Sequence, residues 1–285
     1  MKKILPIFLF IFSFAVYAEG GALKLGVLPS NPNSQESLNV FVKFLSEKTG
    51  NPMELVIADV DDLLKGLAGG DISFADLTSG AFATAEKLYQ DKIRYIATVA
   101  ARNEKGDLVP YYKGLFFALK ESSYKSLLDL KGKSFGFVSR SSTSGYIYPV
   151  AAIHGLGIEP ETFFGSVTFT GDHAKIFEGI KGGFLDAGVS NYDAYDKARA
   201  LYGNIFRIIG ETEEIPSGAI VASSSVDGKV VKLAEEALLG IKPADPVVNY
   251  PGFLYKGFVK KGGGFYNLIK KLISRSVGIP YHPHP

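Results

Sequence analysis

An alternation of short apolar runs with helical patterns, which restarts once, is the strongest constraint on how this 285-residue chain folds. Residues 23–28 read as a buried strand, and residues 34–49 follow with Leu38, Phe41, Val42 and Leu45 at helical spacing until Gly50 stops the pattern. A strand at 53–58, a short helix at 61–68, a strand at 72–77, a helix at 79–89 and a strand at 95–101 continue it. Strands are then predicted at 134–138, 167–170, 187–190 and 206–209, separated by helices near 144–154, 172–181 and 191–201. Consecutive strand–helix units cover both faces of a sheet, so the pattern predicts an α/β fold with largely parallel, buried strands. Pro149 lacks an amide hydrogen in an early turn of its helix, which should therefore begin irregularly.

The restart predicts two lobes, because a chain of this length fits two compact cores better than one. Residues 114–120 are expected to leave the first lobe and 215–223 to return, as two crossing strands that form a hinge. Residues 1–18 carry Lys2 and Lys3, an apolar centre, and small residues at Val16 and Ala18, the pattern of a secretory signal peptide cut after Ala18. That divides the chain into a leader at 1–18, a discontinuous first lobe at 19–118 and 219–285, and a second lobe at 119–218. Removing 18 residues from 285 leaves 267, and losing both lysines brings the 31 basic residues level with the 29 acidic ones. A formally neutral chain excludes the basic excess of a nucleic-acid binder. With no Cys, neither a lipid anchor nor a disulfide is expected, and the mature protein should be a soluble periplasmic monomer held by its packed core. Residues 277–285 read as a frayed end, with His282 and His284 part of it rather than a metal site.

Ser142-Thr143-Ser144-Gly145 falls where the 134–138 strand hands over to a helix. Consecutive hydroxyls at a helix start gather O–H donors around unpaired backbone amides at the positive end of the dipole, which makes an oxyanion socket. A single hydroxyl would need no more than an N-cap role; three in a row point to a ligand.

Segments 25–29, 44–50, 126–138, 142–146, 168–173 and 186–190 together resemble the phosphonate, phosphite and phosphate substrate-binding proteins of bacterial ABC importers. The specific part is Ser-Thr-Ser-Gly-Tyr at 142–146 followed by Gly171-x-His173. The resemblance implies a two-lobed periplasmic binding fold, type II-like, that closes on its ligand and delivers it to a membrane permease. It further implies that Ser142, Thr143 and Ser144 cradle the phosphoryl oxygens and that His173 donates to the same group. Asp193 lies where the family places an acid, and an exposed helix-start Asp explains it equally well. Tyr111 matches a family tyrosine on the hinge side, and core packing at a strand start explains it equally well. Two departures bear on the ligand. The chain has Ala75-Asp76-Leu77-Thr78-Ser79-Gly80 where many members have an aromatic residue followed by glycine, so Thr78 and Ser79 are the hydroxyl candidates from the first lobe. It has Gly218 where amine-binding members carry a second acid, so phosphate, phosphite or methylphosphonate is expected rather than an aminophosphonate.

Ser144, His173 and Asp193 could be imagined as a hydrolase triad, but no Gly-x-Ser-x-Gly elbow accompanies them, and no enzyme activity is expected. No Walker, dinucleotide or metal-ligand pattern implies a cofactor. A ligand-sensing module working with a membrane signalling partner is the alternative to import.

Overall fold

The computed structural model describes residues 21–29, 35–102, 107–242, 244–249, 255–262 and 264–275. The leader at 1–18, Ser34 and the end at 277–285 lie outside the described residues.

The chain alternates first through β1 (Leu23–Val27), α1 (Gln35–Thr49), β2 (Met53–Ile57), α2 (Val60–Gly69), β3 (Phe74–Leu77), α3 (Ser79–Tyr89) and β4 (Ile93–Arg102). Short strands β5 (Leu108–Val109) and β6 (Tyr111–Tyr112) follow. A second alternation runs through β7 (Leu115–Leu119), β8 (Ser134–Phe137), α4 (Tyr148–Gly155), α5 (Pro160–Phe163), β9 (Ser166–Phe169), α6 (His173–Lys181), β10 (Ala187–Ser190), α7 (Tyr192–Tyr202) and β11 (Phe206–Glu211). The chain returns through β12 (Ile215–Pro216) and β13 (Ala219–Ser223), then α8 (Gly228–Leu239), α9 (Pro246–Asn249), β14 (Gly257–Val259) and α10 (Asn267–Arg275).

Two sheets result, ordered β14-β4-β13-β3-β1-β2 and β11-β7-β10-β8-β9. Each contains the parallel triplet expected from the alternation, β2-β1-β3 and β9-β8-β10. The sheets are nevertheless mixed rather than largely parallel. Ala219 at the start of β13 lies opposite Leu77 at the end of β3, and Leu115 at the start of β7 lies opposite Ser190 at the end of β10. The strand arriving from the other lobe enters each sheet at its carboxyl edge and so has to run antiparallel.

The crossing also differs from the expected one. Residues 115–119 form an inner strand of the second sheet, not an outgoing hinge strand of the first lobe. The link is the two-stranded ribbon of β6 and β12, with Tyr112 opposite Ile215 and Tyr111 opposite Pro216.

Both faces of each sheet are covered, as strands rich in Phe, Val and Ala require. On one face of the first sheet Leu38, Phe41 and Leu45 of α1 pack on Leu25, Phe74 and Ile220, and on the other Leu63 and Leu67 of α2 join Leu77, Phe82 and Val221. In the second sheet Phe116, Phe135 and Phe137 face Ile153 and Phe164, while Phe117 meets Ile176, Phe177 and Tyr195. Alternate residues of β7 thus serve opposite cores.

Candidate ligand-binding site

Four strand-to-helix turns carry the candidate residues. α3 follows β3, a turn at residues 143–147 follows β8, α6 follows β9 and α7 follows β10. In sheets of this kind ligands bind beyond the carboxyl ends of the strands, where helix N-termini present free amides. Ser79, Thr143, Ser144, His173 and Asp193 all lie in the first turns of these helical segments.

The irregular start predicted from Pro149 is a turn of π-helix, Thr143–Ile147, in which the Ile147 amide donates to the Ser142 carbonyl at 3.0 Å. The wide turn feeds into α4, where proline is tolerated at the second position because that amide needs no helical partner. Ser142 caps the turn, its Oγ accepting from the Gly145 amide at 3.0 Å. A Cβ on Gly145 would come 2.5 Å from the Val138 side chain and 2.7 Å from Ser142 Oγ, so glycine lets the turn lie against the end of β8. Thr143 and Ser144 are both buried, 3% exposed. Thr143 Oγ1 accepts from the Gly80 amide at 3.2 Å, a hydrogen bond from the start of α3 in the first lobe to the second. Arg140, the cation of the motif, is held over Phe169 and Tyr146 and donates to the Tyr146 hydroxyl at 2.9 Å.

Of the paired hinge tyrosines, Tyr112 rather than Tyr111 turns toward this point. The Tyr111 side chain is 39% exposed. Tyr112 packs on the core containing Ile215, and its phenol lies near enough to the Ser144 and Thr143 side chains to feel them. Burial pushes the Tyr112 phenol up to about 12, so it stays a donor at any physiological pH. The period of two along a strand puts neighbours on opposite faces, and the apolar Ile215 across the ribbon is the signal that could have chosen between them. Of the first-lobe hydroxyls, exposed Thr78 caps α3 by accepting from the Ala81 amide at 3.2 Å. Ser79 is 1% exposed, and its Oγ has no hydrogen-bond partner among the described residues.

His173 is half-buried at the first position of α6, and its Nδ1 lies 3.0 Å from Ser190 Oγ at the end of β10. A ring held through Nδ1 leaves Nε2 free. Burial pushes the imidazole below its ordinary range, against the opposing pull of Asp172 and Asp193. Asp193 is exposed in the first turn of α7, near enough to act electrostatically on both His173 and Tyr112. Ser190, which fixes the ring, escaped sequence reasoning because a serine ending a strand carries no local signal of its partner.

The family model that describes the periplasmic substrate-binding protein of phosphonate ABC transporters matches residues 25–253. The chain belongs to this family. The phosphate-import protein PhnD of Mycolicibacterium smegmatis is 24% identical over 223 residues, covering 73% of this chain and 68% of its own. Among solved structures, XAC2383 of Xanthomonas citri with bound chloride matches with a TM-score of 0.75 at 20% identity, over 90% of this chain and 99% of that one. PhnD1 of Prochlorococcus marinus in complex with methylphosphonate matches with a TM-score of 0.74 at 20% identity, over the same shares. These likenesses establish the two-lobed fold of the phosphonate-transporter binding proteins.

Asp76 is the one charged residue of β3. Its Oδ2 accepts from the Tyr255 hydroxyl at 2.5 Å, and burial pushes its carboxyl up to about 6 despite that hydrogen bond. An acid with a raised folded-state pKa favours folding when protonated. Its contribution is complete below the ordinary value of 3.8 and is lost as pH rises through about 6. Asp76→Asn keeps an acceptor for Tyr255 and removes the buried charge. It should raise the melting temperature at pH 7.5, by up to about 3 kcal/mol of stability, and by progressively less toward pH 4. Thermal melts over that pH range check it, and an equal shift at both ends would refute it.

Proposed function

We propose that this substrate-binding protein captures a small phosphorus oxyanion between its lobes, inorganic phosphate, phosphite or a short alkyl phosphonate, and delivers it to an ABC permease. The observation that carries the reading is the buried Thr143–Ser144 turn, tied to the first lobe by the Gly80 amide and faced by the Tyr112 hydroxyl. Thr143 Oγ1 accepts from Gly80, so its own proton remains to be donated. Thr143, Ser144 and Tyr112 would donate to the anion, with Ser142 and Thr78 at the edge, where their oxygens already cap helical turns. Each charge-assisted hydrogen bond contributes roughly 1.5–3 kcal/mol. Donors from both lobes act together only when the lobes meet, so the anion favours the closed state by its differential contacts. Export through a leader cut after Ala18, and action as a soluble periplasmic monomer, belong to the same proposal. Among the described residues no helix is long and apolar enough to cross a membrane.

His173 would donate through Nε2 and Asp193 would accept from a protonated oxygen at the rim. With its pKa lowered by burial, His173 is largely neutral near pH 7, and a bound dianion favours the imidazolium. Binding should therefore take up part of a proton, and His173→Gln should reduce that uptake. Calorimetry in two buffers of different ionisation enthalpy measures it; unchanged uptake in the variant would remove His173 from the proton linkage.

The direct test is titration of refolded mature protein with phosphate, phosphite and methylphosphonate, with Tyr112→Phe and Tyr111→Ala beside it. Loss of about tenfold in affinity is expected for Tyr112→Phe and little change for Tyr111→Ala. The opposite ranking would overturn the assignment of Tyr112, and no binding of any of the three anions would overturn the proposed function.

A further inference from the structure

Tyr148 of the second lobe packs into a core cluster of the first. It is 2% exposed and packs in the core cluster that also holds Leu77, Ala81, Phe82 and Tyr266, yet its hydroxyl has no hydrogen-bond partner among the described residues. Ser79 Oγ, in the same junction, is the second such hydroxyl. Both adjoin socket residues along the chain. Ser79 immediately precedes Gly80, whose amide meets Thr143, and the Tyr148 amide donates to the Thr143 carbonyl, one π-turn on. A wide turn places residues four and five apart on one face, so Tyr148 shares the face of Ser144 and Thr143. Its phenol is also near enough to Tyr112 to act on it electrostatically.

A buried hydroxyl without a partner is costly, and the cost disappears when a ligand supplies the acceptor. Thr143, Ser144 and Tyr112 already suffice for one oxygen-bearing face of a tetrahedral anion. Ser79 and Tyr148 add two further hydroxyls that need oxygen opposite them. A carbon-bound or hydrogen-bound corner turned toward them would leave them unpaired.

We infer that Tyr148 and Ser79 are specificity-determining residues that make the socket select a tetrahedral anion with oxygen at all four corners, of the inorganic phosphate class, over one with a carbon substituent. This rests on the phosphorus-oxyanion reading above and deepens it.

The experiment compares inorganic phosphate with methylphosphonate on refolded mature wild type, Tyr148→Phe and Ser79→Ala, by calorimetric titration. The wild type should bind phosphate about tenfold or more tightly than methylphosphonate, since one lost hydrogen bond in a desolvated site is worth about that factor. Tyr148→Phe should weaken phosphate about tenfold and leave methylphosphonate nearly unchanged, so that the preference collapses. Ser79→Ala, which removes one small oxygen and reads the same effect if the tyrosine variant fails to fold, should narrow the preference in the same direction. Equal or tighter wild-type binding of methylphosphonate, or equal weakening of both anions in the variants, would overturn the inference while leaving the oxyanion function in place. No binding of either anion by the wild type would overturn both.

Discussion

Thr143→Val should cost this protein about a hundredfold or more of its affinity for a phosphorus oxyanion, with phosphate, phosphite and methylphosphonate affected alike. The substitution keeps the shape of the side chain and removes only its oxygen. That oxygen has two tasks. It accepts the Gly80 amide at 3.2 Å across the lobe junction, and its proton remains to be donated to the anion. Gly80 is buried in the junction, so its amide would be left without an acceptor in the closed state, at a cost of about 1–3 kcal/mol. Loss of the charge-assisted bond to the ligand adds roughly 1.5–3 kcal/mol, and every 1.4 kcal/mol is about tenfold. Ser142→Ala should do much less to binding, because Ser142 Oγ is already engaged by the Gly145 amide at 3.0 Å. Calorimetric titration decides the matter. Affinity of Thr143→Val within threefold of wild type would show that neither the bridge nor the donor operates in the bound state.

Gly218→Asp, which restores the acid that amine-binding relatives are expected to carry, should unfold the protein more readily rather than confer aminophosphonate binding. A Cβ at this position would stand 2.6 Å from the Leu77 carbonyl oxygen and 3.5 Å from Asp76 Oδ1. The first contact is with backbone in the adjoining strand β3, which cannot move aside as a flexible side chain would. Relief would require β13 to shift, and the Gly218 carbonyl is itself the acceptor for the Val99 amide at 2.9 Å. The second contact places a new carboxylate beside one whose burial already pushes it up to about 6. Steric overlap of about 1–3 kcal/mol and a like-charge pair at a half-buried position together should lower the melting temperature by about 10 °C. Gly218→Ala separates the two causes, since it carries the steric part alone. A stable Gly218→Asp variant that binds 2-aminoethylphosphonate would refute the account and show that β13 can yield.

Packing alone therefore disfavours an acid at 218. Asp76 occupies the space toward which an acid at 218 would point, and Tyr255 holds Asp76 there at 2.5 Å. The departure at Ala75-Asp76 and the departure at Gly218 were legible separately in the sequence. Their physical connection is a contact between strands more than a hundred residues apart, which no local pattern records.

The strand–helix alternation, the restart that makes two sheets and the hydroxyl-rich turn at a helix start are all legible in the sequence. So is the irregular start ahead of Pro149, because helical periodicity, proline chemistry and glycine stops act within a few residues. Long-range packing was needed to show that each sheet receives an antiparallel strand from the other lobe and that the ribbon of Tyr111–Tyr112 with Ile215–Pro216 links the two. It also decided that Tyr112 faces the Thr143–Ser144 turn while Tyr111 faces solvent, that Ser190 holds His173, and that Tyr148 crosses into the first lobe. Each of these depends on which distant segment lies opposite, and a residue's own neighbours in the chain say how it is buried but not against what.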